Sequence, residues 1–331
     1  MEIADIDVEA MAHQALEAWG LQSAKHELVS VTENIVFRVD AGDGKVLRLC
    51  LHRSWYHNLP ELISECQWTR ALSEYGISTP VQVPASDGND HVLVRDNVSG
   101  EARYASMNQW VDGEIMGRII ARSEDFTIHF IRMGDMAARI HNQASKWKPP
   151  PGFTRHSLDA EGFMGEKPFW GPFWAAPTLT SDERKRFEHL REAVYNLLAR
   201  LNTDSDNYSM IHADLHPRNL VINGEHLHVI DFDDAGFGWH MYELAVGLFH
   251  YQDHPRFREM VEAVFEGYRQ GRRLEKKSTD LLPLFLLVRA LASVGWVAAR
   301  PELSKVSAGR HDRYGRWVAD KAFSLSAGLG L

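Results

Sequence analysis

Residues 209–234 read SMIHADLHPRNLVINGEHLHVIDFDD. His212, Asp214, Asn219 and Asp231 flank two short apolar runs, 220–222 and 227–230, with Asn223-Gly224 between them. Asn-Gly between two β-type runs is the strongest short-range hairpin signal. The residue entering the first strand, Asn219, and the residue leaving the second, Asp231, then lie side by side at the open end, where facing Cβ atoms are about 4.5–5.5 Å apart. That separation lets one divalent cation take both side chains at about 2.0–2.1 Å, the rest of its shell being phosphate and water. Asp214 precedes Asn219 by five residues, in a loop that Pro217 keeps out of helix. It is a carboxylate outside the metal pair and close to it, as a base must be. Two other readings of the stretch stay open: a hairpin that merely carries surface Asp and Asn, and a metal site built from His212, Asp214 and His216. Against the second, Pro217 opposes a helix there and no His-Glu-x-x-His is present.

His-x-Asp-x-x-x-x-Asn, then a hairpin, then Asp-Phe is the spacing of the catalytic loop and metal-binding aspartate of protein kinases. Ala213 replaces the usual Arg of that pattern, and Asp233 the usual Gly. With HADLHPRN and IDFDDAGFGWHMYELAV, the chain resembles instead the bacterial phosphotransferase family that includes aminoglycoside phosphotransferases, choline kinases, the homoserine kinase of the same fold and a stress-response protein kinase. The likeness is strong over 209–250 and fainter over 31–75 and 105–145.

The resemblance implies an α+β, protein-kinase-like two-lobe fold: a small antiparallel β-sheet N-lobe with one cleft helix (1–111) and a larger, mostly helical C-lobe (112–331). It implies transfer of the γ-phosphoryl group of ATP, with Mg²⁺, to a hydroxyl of a small molecule such as an amino alcohol, a sugar or an aminoglycoside-like compound. Asp214 is then the base, and Asn219 and Asp231 hold the metal. Arg48, in an LRL strand, takes the role of the kinase lysine on the α/β-phosphates, with Glu65 of Ser64-Glu65-Cys66-Gln67-Trp68 as its partner. The tip Thr32-Glu33-Asn34 stands where kinases carry a Gly-rich loop. It has no glycine, so Thr32 and Asn34 meet phosphate through side chains or a few backbone N–H groups. Backbone groups from Gln109 to Val111 meet the adenine edge. The family usually has Asp where Glu243 stands, an acid that supports the catalytic loop. A protein Ser/Thr kinase of the stress-response type, with a protein as substrate, and a non-catalytic nucleotide-binding module are the rival functions.

The elements that must position these groups follow from pattern. Residues 8–19 are apolar at helical spacing and Gly20 stops them. Residues 28–31, 35–39 and 46–51 read as strands, the last two joined at Asp43-Gly44. Period two puts Leu47, Leu49 and Leu51 on one face of the third strand and Val46, Arg48 and Cys50 on the other. Pro60 opens a helix that Gly76 ends, with Leu62, Cys66, Thr69 and Leu72 inward and Glu61 in solvent. Further strands are read at 81–83, 91–94 and 105–111. A helix spans 124–147, with His141 as a packing histidine. Residues 148–175, rich in Pro, Gly and aromatics, read as a long irregular segment, either an acceptor-site wall or aromatic packing. Helices at 181–201, from 238, and at 255–270, 281–299 and 312–327 complete the chain.

A length of 331 residues suggests about two domains. A formal charge of −9 argues against a nucleic-acid partner. Cys50 and Cys66 are the two cysteines and form no CxxC, which argues against a disulfide framework and fits a reducing cytoplasm. The acidic start MEIADIDVEAM is unlike a secretory signal. The apolar run 281–299 contains Pro283 and Arg289 and reads as a buried helix, so no membrane partner is expected.

Overall fold

A computed structural model of the protein describes residues 6–31, 34–307 and 309–331. In chain order its elements are helix α1 (Val8–Ala18), strands β1 (Lys25–Val31), β2 (Ile35–Asp40) and β3 (Val46–Leu51), helix α2 (Leu59–Glu74), and strands β4 (His91–Arg95), β5 (Ala102–Gln109) and β6 (Glu114–Ile115). Helices α3 (Met116–Ile120) and α4 (Thr127–Ala144), strand β7 (Ser157–Leu158), helices α5 (Ala160–Met164) and α6 (Ser181–Leu198), and strands β8 (Tyr208–Ile211), β9 (Leu220–Asn223), β10 (His226–Val229) and β11 (Gly236–Trp239) follow. Helices α7 (His240–Leu248), α8 (Phe257–Gly271), α9 (Lys276–Thr279), α10 (Leu282–Ala298), α11 (Glu302–Val306) and α12 (Arg310–Leu329) close the chain. Contacts divide it into two units. The first takes Met1–Gly113, Pro149–Thr154 and Val221–Ile230; the second takes Glu114–Lys148, Arg155–Leu220 and Asp231–Leu331.

The first unit is built on a five-stranded sheet in the order β1-β2-β3-β5-β4, antiparallel throughout. Alternation decides its faces. Ile35, Phe37 and Val39 of β2 and Leu47, Leu49 and Leu51 of β3 share a core with Met11, Ala12, Ala15 and Leu16 of α1. Arg48 therefore points to the other face. The turn between β2 and β3 is made by Asp43 and Gly44, with φ of 53° and 75°. Helix α2 opens on a capping box, in which the Asn58 side chain accepts from the Glu61 N–H and Glu61 accepts from the Asn58 N–H. Glu61 is thus a capping residue, not the solvated acid the pattern suggested. Trp68, absent from the expected inward face, is fully buried, while Thr69 is only half-buried.

Two expected strands differ. Residues 81–83 reduce to a single bridge, Gln82 opposite Asn108, because Pro80 and Pro84 remove donors on either side. The last strand ends at Gln109, two residues early, where the Trp110 N–H turns to the Val46 carbonyl. The hairpin of β9 and β10 belongs to this unit from Val221 to Ile230. The Val229 N–H donates to Ser78 at 2.9 Å, and Ser78 Oγ lies 2.6 Å from His228 Nδ1. Its turn is centred one residue later than expected. Gly224, at φ +58°, and Glu225 connect the strands, and Asn223 ends β9. A glycine at the first central position is the requirement of a type II′ turn.

The second unit is helical around a small sheet in which β11 pairs parallel with β7 and antiparallel with β8. Helices α4 and α8 touch backbone to backbone. A Cβ on Gly134 would come within 2.1 Å of the Val264 carbonyl oxygen, so this crossing needs glycine. Helix α7 is buried along its whole length. The stretch Lys276–Ala298 is long and apolar enough to cross a membrane, and 72% of its most apolar window is buried inside the protein, as in a core helix. Residues 148–175 are more regular than their composition suggested. They contribute β7, α5 and a 3₁₀ turn at Phe173–Ala175, with Phe163, Trp170 and Phe173 buried.

Candidate active site

The loop between β8 and β9 carries His212, Asp214 and Asn219. Ala213 adopts φ +64°, a left-handed conformation that costs a non-glycine residue about 1–2 kcal/mol. Glu243, buried on α7, holds it there: one carboxylate oxygen accepts the His212 N–H at 2.7 Å and the other the Ala213 N–H at 2.8 Å. Burial pushes the Glu243 carboxyl up, against the opposing pull of His212 and the two N–H groups. The extra carbon of Glu over Asp is accommodated without losing the loop. His212 Nδ1 accepts the Asp214 N–H at 3.2 Å, and its ring rests on Phe232 at 4.6 Å between centroids. It braces the loop. Beneath, His141 stacks on His240 at 4.1 Å, its Nδ1 lies 2.8 Å from the Tyr268 hydroxyl, and its Nε2 lies 3.8 Å from Glu243. Burial holds both imidazoles well below their ordinary pKa, so they pack as neutral rings.

Asp214 is the carboxylate of the loop, and four groups surround it. Asn219 Nδ2 donates to Oδ2 at 2.9 Å and to the Asp214 carbonyl at 3.0 Å. His216 Nε2 lies 3.3 Å from Oδ2. Arg289 Nη2 donates to Oδ1 at 2.6 Å. Burial pushes the Asp214 carboxyl up, but the charges of His216, Arg289 and His212 outweigh it, and the group stays below its ordinary range. Since the Asn219 amide nitrogen is committed to Asp214, its carbonyl oxygen is the atom left for a hard cation, which is the chemistry a Mg²⁺ or Ca²⁺ site needs. Asp231, past the end of β10, has φ +68° and an exposed side chain. No group of three or more His, Cys, Asp and Glu side chains arranged to hold a metal is found among the described residues, which removes the His212, Asp214 and His216 centre.

In the first unit, Arg48 and Glu65 are both half-buried. Arg48 Nη2 reaches Cys50 Sγ at 3.6 Å, and Arg48 sits directly opposite Arg38 on β2. Thr32 lies outside the described residues. Asn34 is buried and its side-chain Oδ1 accepts the Arg53 N–H at 3.0 Å, so this oxygen ties the tip of the hairpin to the chain after β3. The Gln109 N–H is taken by the Val81 carbonyl at 2.8 Å. The Val111 N–H has no hydrogen-bond partner among the described residues.

The profile of the phosphotransferase enzyme family matches residues 27–276. The chain belongs to this family. It is 24% identical to the amicoumacin kinase of Bacillus subtilis (strain 168) over 297 residues, covering 87% of this chain and 84% of that one. Among solved structures it is similar to a microcompartment-associated aminopropanol kinase, with a TM-score of 0.78 and 28% identity, covering 96% of this chain and 100% of that one. The amicoumacin kinase hAmiN, in complex with AMP-PNP, Ca²⁺ and Ami, superposes with the same TM-score of 0.78 at 20% identity, covering 96% and 95% of the two chains. The fold is the kinase-like α+β fold of these proteins, and the chain is a phosphotransferase of the small-molecule kinase class.

Two residues of this phosphotransferase's site escaped the reading of its sequence. Arg289 lies mid-way along α10, inside the apolar run read as a buried helix; it reaches Asp214 across 75 residues of chain. Arg155, at the start of the second unit's return from the Pro-rich segment, is buried and donates to the carbonyls of Phe232, Asp233 and Ala235. It laces together the backbone that follows Asp231. Asp234 accepts from Trp170 Nε1 at 3.3 Å, so one of the aromatics of the 148–175 segment also packs onto this strip. The signal available for Arg289 was a cation inside an otherwise apolar run, and for Arg155 a cation inside an aromatic one.

Proposed function

We propose that the protein transfers the γ-phosphoryl group of ATP, with Mg²⁺, to a hydroxyl of a small molecule of the amino alcohol, sugar or aminoglycoside-like kind. The observation that carries this is the Asp214 loop: a carboxylate held by Asn219, His216 and Arg289 on a backbone that Glu243 fixes. Membership of the phosphotransferase enzyme family and likeness to kinases of amicoumacin and aminopropanol support the substrate class.

In this reading Asp214 accepts a hydrogen bond from the acceptor hydroxyl, turns its oxygen toward the phosphorus and takes its proton as the new bond forms. The loose transition state asks mainly for orientation and charge neutralisation. Asn219, through Oδ1, and Asp231 hold the Mg²⁺, which supplies charge neutralisation on the phosphate oxygens when bound. Arg48, with Glu65, binds the α/β-phosphates. The Val111 N–H serves the adenine edge, and the Gln109 N–H does not, being spent on Val81.

The test is transfer from γ-labelled ATP with Mg²⁺, wild type beside Asp214→Asn, offered a polar metabolite pool and separately a protein extract. Label in small molecules with wild type alone is the expected outcome. Label in protein replaces this reading by a protein kinase. ATP binding with no transfer to either leaves a nucleotide-binding module.

A further inference from the structure

Helix α10 buries thirteen of its seventeen residues, and the apolar neighbours of Arg289 include Phe285, Leu286, Val288, Ala290 and Ala292. A guanidinium in such a helix is costly unless it is paired and fully hydrogen-bonded. Arg289 is paired but not fully bonded. Its side chain is 12% exposed. One nitrogen donates to Asp214 at 2.6 Å and another reaches the Tyr242 hydroxyl at 3.4 Å. The buried Nε has no partner among the described residues. A cation kept only to knit the core together would sit where all its donors are met. This one sits where a single strong bond to a loop carboxylate can be made.

That bond completes a pattern on the carboxylate. An ionised Asp offers about four lone-pair sites, two on each oxygen. On Oδ2, Asn219 fills one, and the His216 ring, whose Nε2 lies 3.3 Å away, crowds the other. On Oδ1, Arg289 fills one. One site remains, on Oδ1 and beside the guanidinium.

We infer that Arg289 is a positioning residue for phosphoryl transfer: it fixes the Asp214 carboxylate so that the remaining lone pair of Oδ1 receives the acceptor hydroxyl. The inference rests on the phosphotransfer reading above. In the step it serves, the acceptor O–H bond breaks and its proton passes to Oδ1. The acceptor oxygen bonds to the γ-phosphorus of ATP, and the bond from that phosphorus to the bridging oxygen breaks, leaving ADP. Arg289 exchanges no proton. Without it the carboxylate is held through Oδ2 alone, and Oδ1 no longer offers the hydroxyl a fixed line of approach.

The experiment compares wild type, Arg289→Met and Arg289→Ala. Two reactions are followed: ATP hydrolysis, in which water stands in for the acceptor, and transfer from ATP to 1-amino-2-propanol. The Met variant keeps an apolar chain of similar length in an apolar helix; both variants leave Asp214 without its cation, so some loss of stability accompanies each. Thermal unfolding and nucleotide affinity are measured beside the rates. The expected result is a fall in kcat of about 10–100-fold in both variants, with the KM for ATP changed by less than about threefold. Millimolar guanidinium should restore part of the rate to Arg289→Ala and none to wild type. A merely structural arginine would lower the unfolding temperature and leave kcat intact; that result, in the Met variant, overturns the inference while the wild-type activity upholds the phosphotransfer reading. A loss confined to KM for ATP, or Arg289→Ala that guanidinium does not improve, also overturns it. Wild-type protein that binds ATP yet catalyses neither reaction overturns the phosphotransfer reading and this inference with it.

Discussion

The carboxylate of Glu243 accepts the backbone N–H groups of both His212 and Ala213, at 2.7 and 2.8 Å. The two bonds point a buried acid at the one peptide of the loop whose φ is left-handed, and so convert local backbone strain into a fixed platform for Asp214. Glu243→Gln keeps the shape and loses one of the two acceptors. The unpaired N–H it leaves is worth about 1.5–3 kcal/mol, since the lost bond was to a charged group. Thermal unfolding should show that loss, and turnover should fall as the loop relaxes. Unchanged stability would remove Glu243 as the brace.

Asp214→Asn should lower turnover by about 10²–10⁴, the usual scale for losing acid–base help, while nucleotide affinity survives. The variant also leaves Arg289 with an amide in place of its carboxylate, so stability should fall together with rate. Kinetics beside calorimetric nucleotide binding checks both. A wild-type rate would dismiss Asp214 as the base.

Asp231→Ala should abolish the part of nucleotide binding that depends on Mg²⁺ and spare the part that does not. Titration of the nucleotide with and without the metal separates the two. Binding that stays metal-dependent in the variant would take Asp231 out of the metal site.

The stacked pair of His141 and His240 predicts a pH dependence of stability. Both are neutral in the folded protein, with pKa values well below the ordinary 6.5, chiefly through burial. In the unfolded chain they titrate near 6.5, so below that pH the unfolded state binds more protons than the folded one. Stability is therefore complete above about pH 6.5 and is lost as pH falls from there toward the folded-state values, by about 1.4 kcal/mol per pH unit for each histidine. Burial lowers His91 and His250 in the same sense, to about 3. Unfolding temperatures measured from pH 7 to 5 should drop, and His240→Asn should flatten the drop. A profile equally steep in that variant would contradict the assignment of the neutral pair.

The local grammar of the site was legible without any coordinates. Asp214, Pro217 and Asn219 lie within one loop, so the sequence sets Asp214 close to Asn219; that the carboxylate accepts from the Asn219 amide at 2.9 Å is a finding of the structure. The alternation of β3 likewise separates Arg48 from Leu47 and Leu49, because a strand has no choice about which residues share a face. Where such rules misled, another local residue had won: Pro80 and Pro84 cut the strand at 81–83, and Gly224 took the first turn position from Asn223.

What holds Asp214 in place was decided by packing. Arg289 is 75 residues away from Asp214, and Glu243 is 30 from Ala213. A sequence shows that a cation inside an apolar helix must find a partner, because its burial is costly otherwise. It does not show which one, since that depends on how α10 and α7 pack around the loop. Arg155 has the same character: its partners are backbone carbonyls 77, 78 and 80 residues on, and a carbonyl carries no side-chain identity for a sequence to display. Residue type and short spacing thus determined the chemistry available to this protein. The tertiary structure alone decided the orientation of its carboxylate.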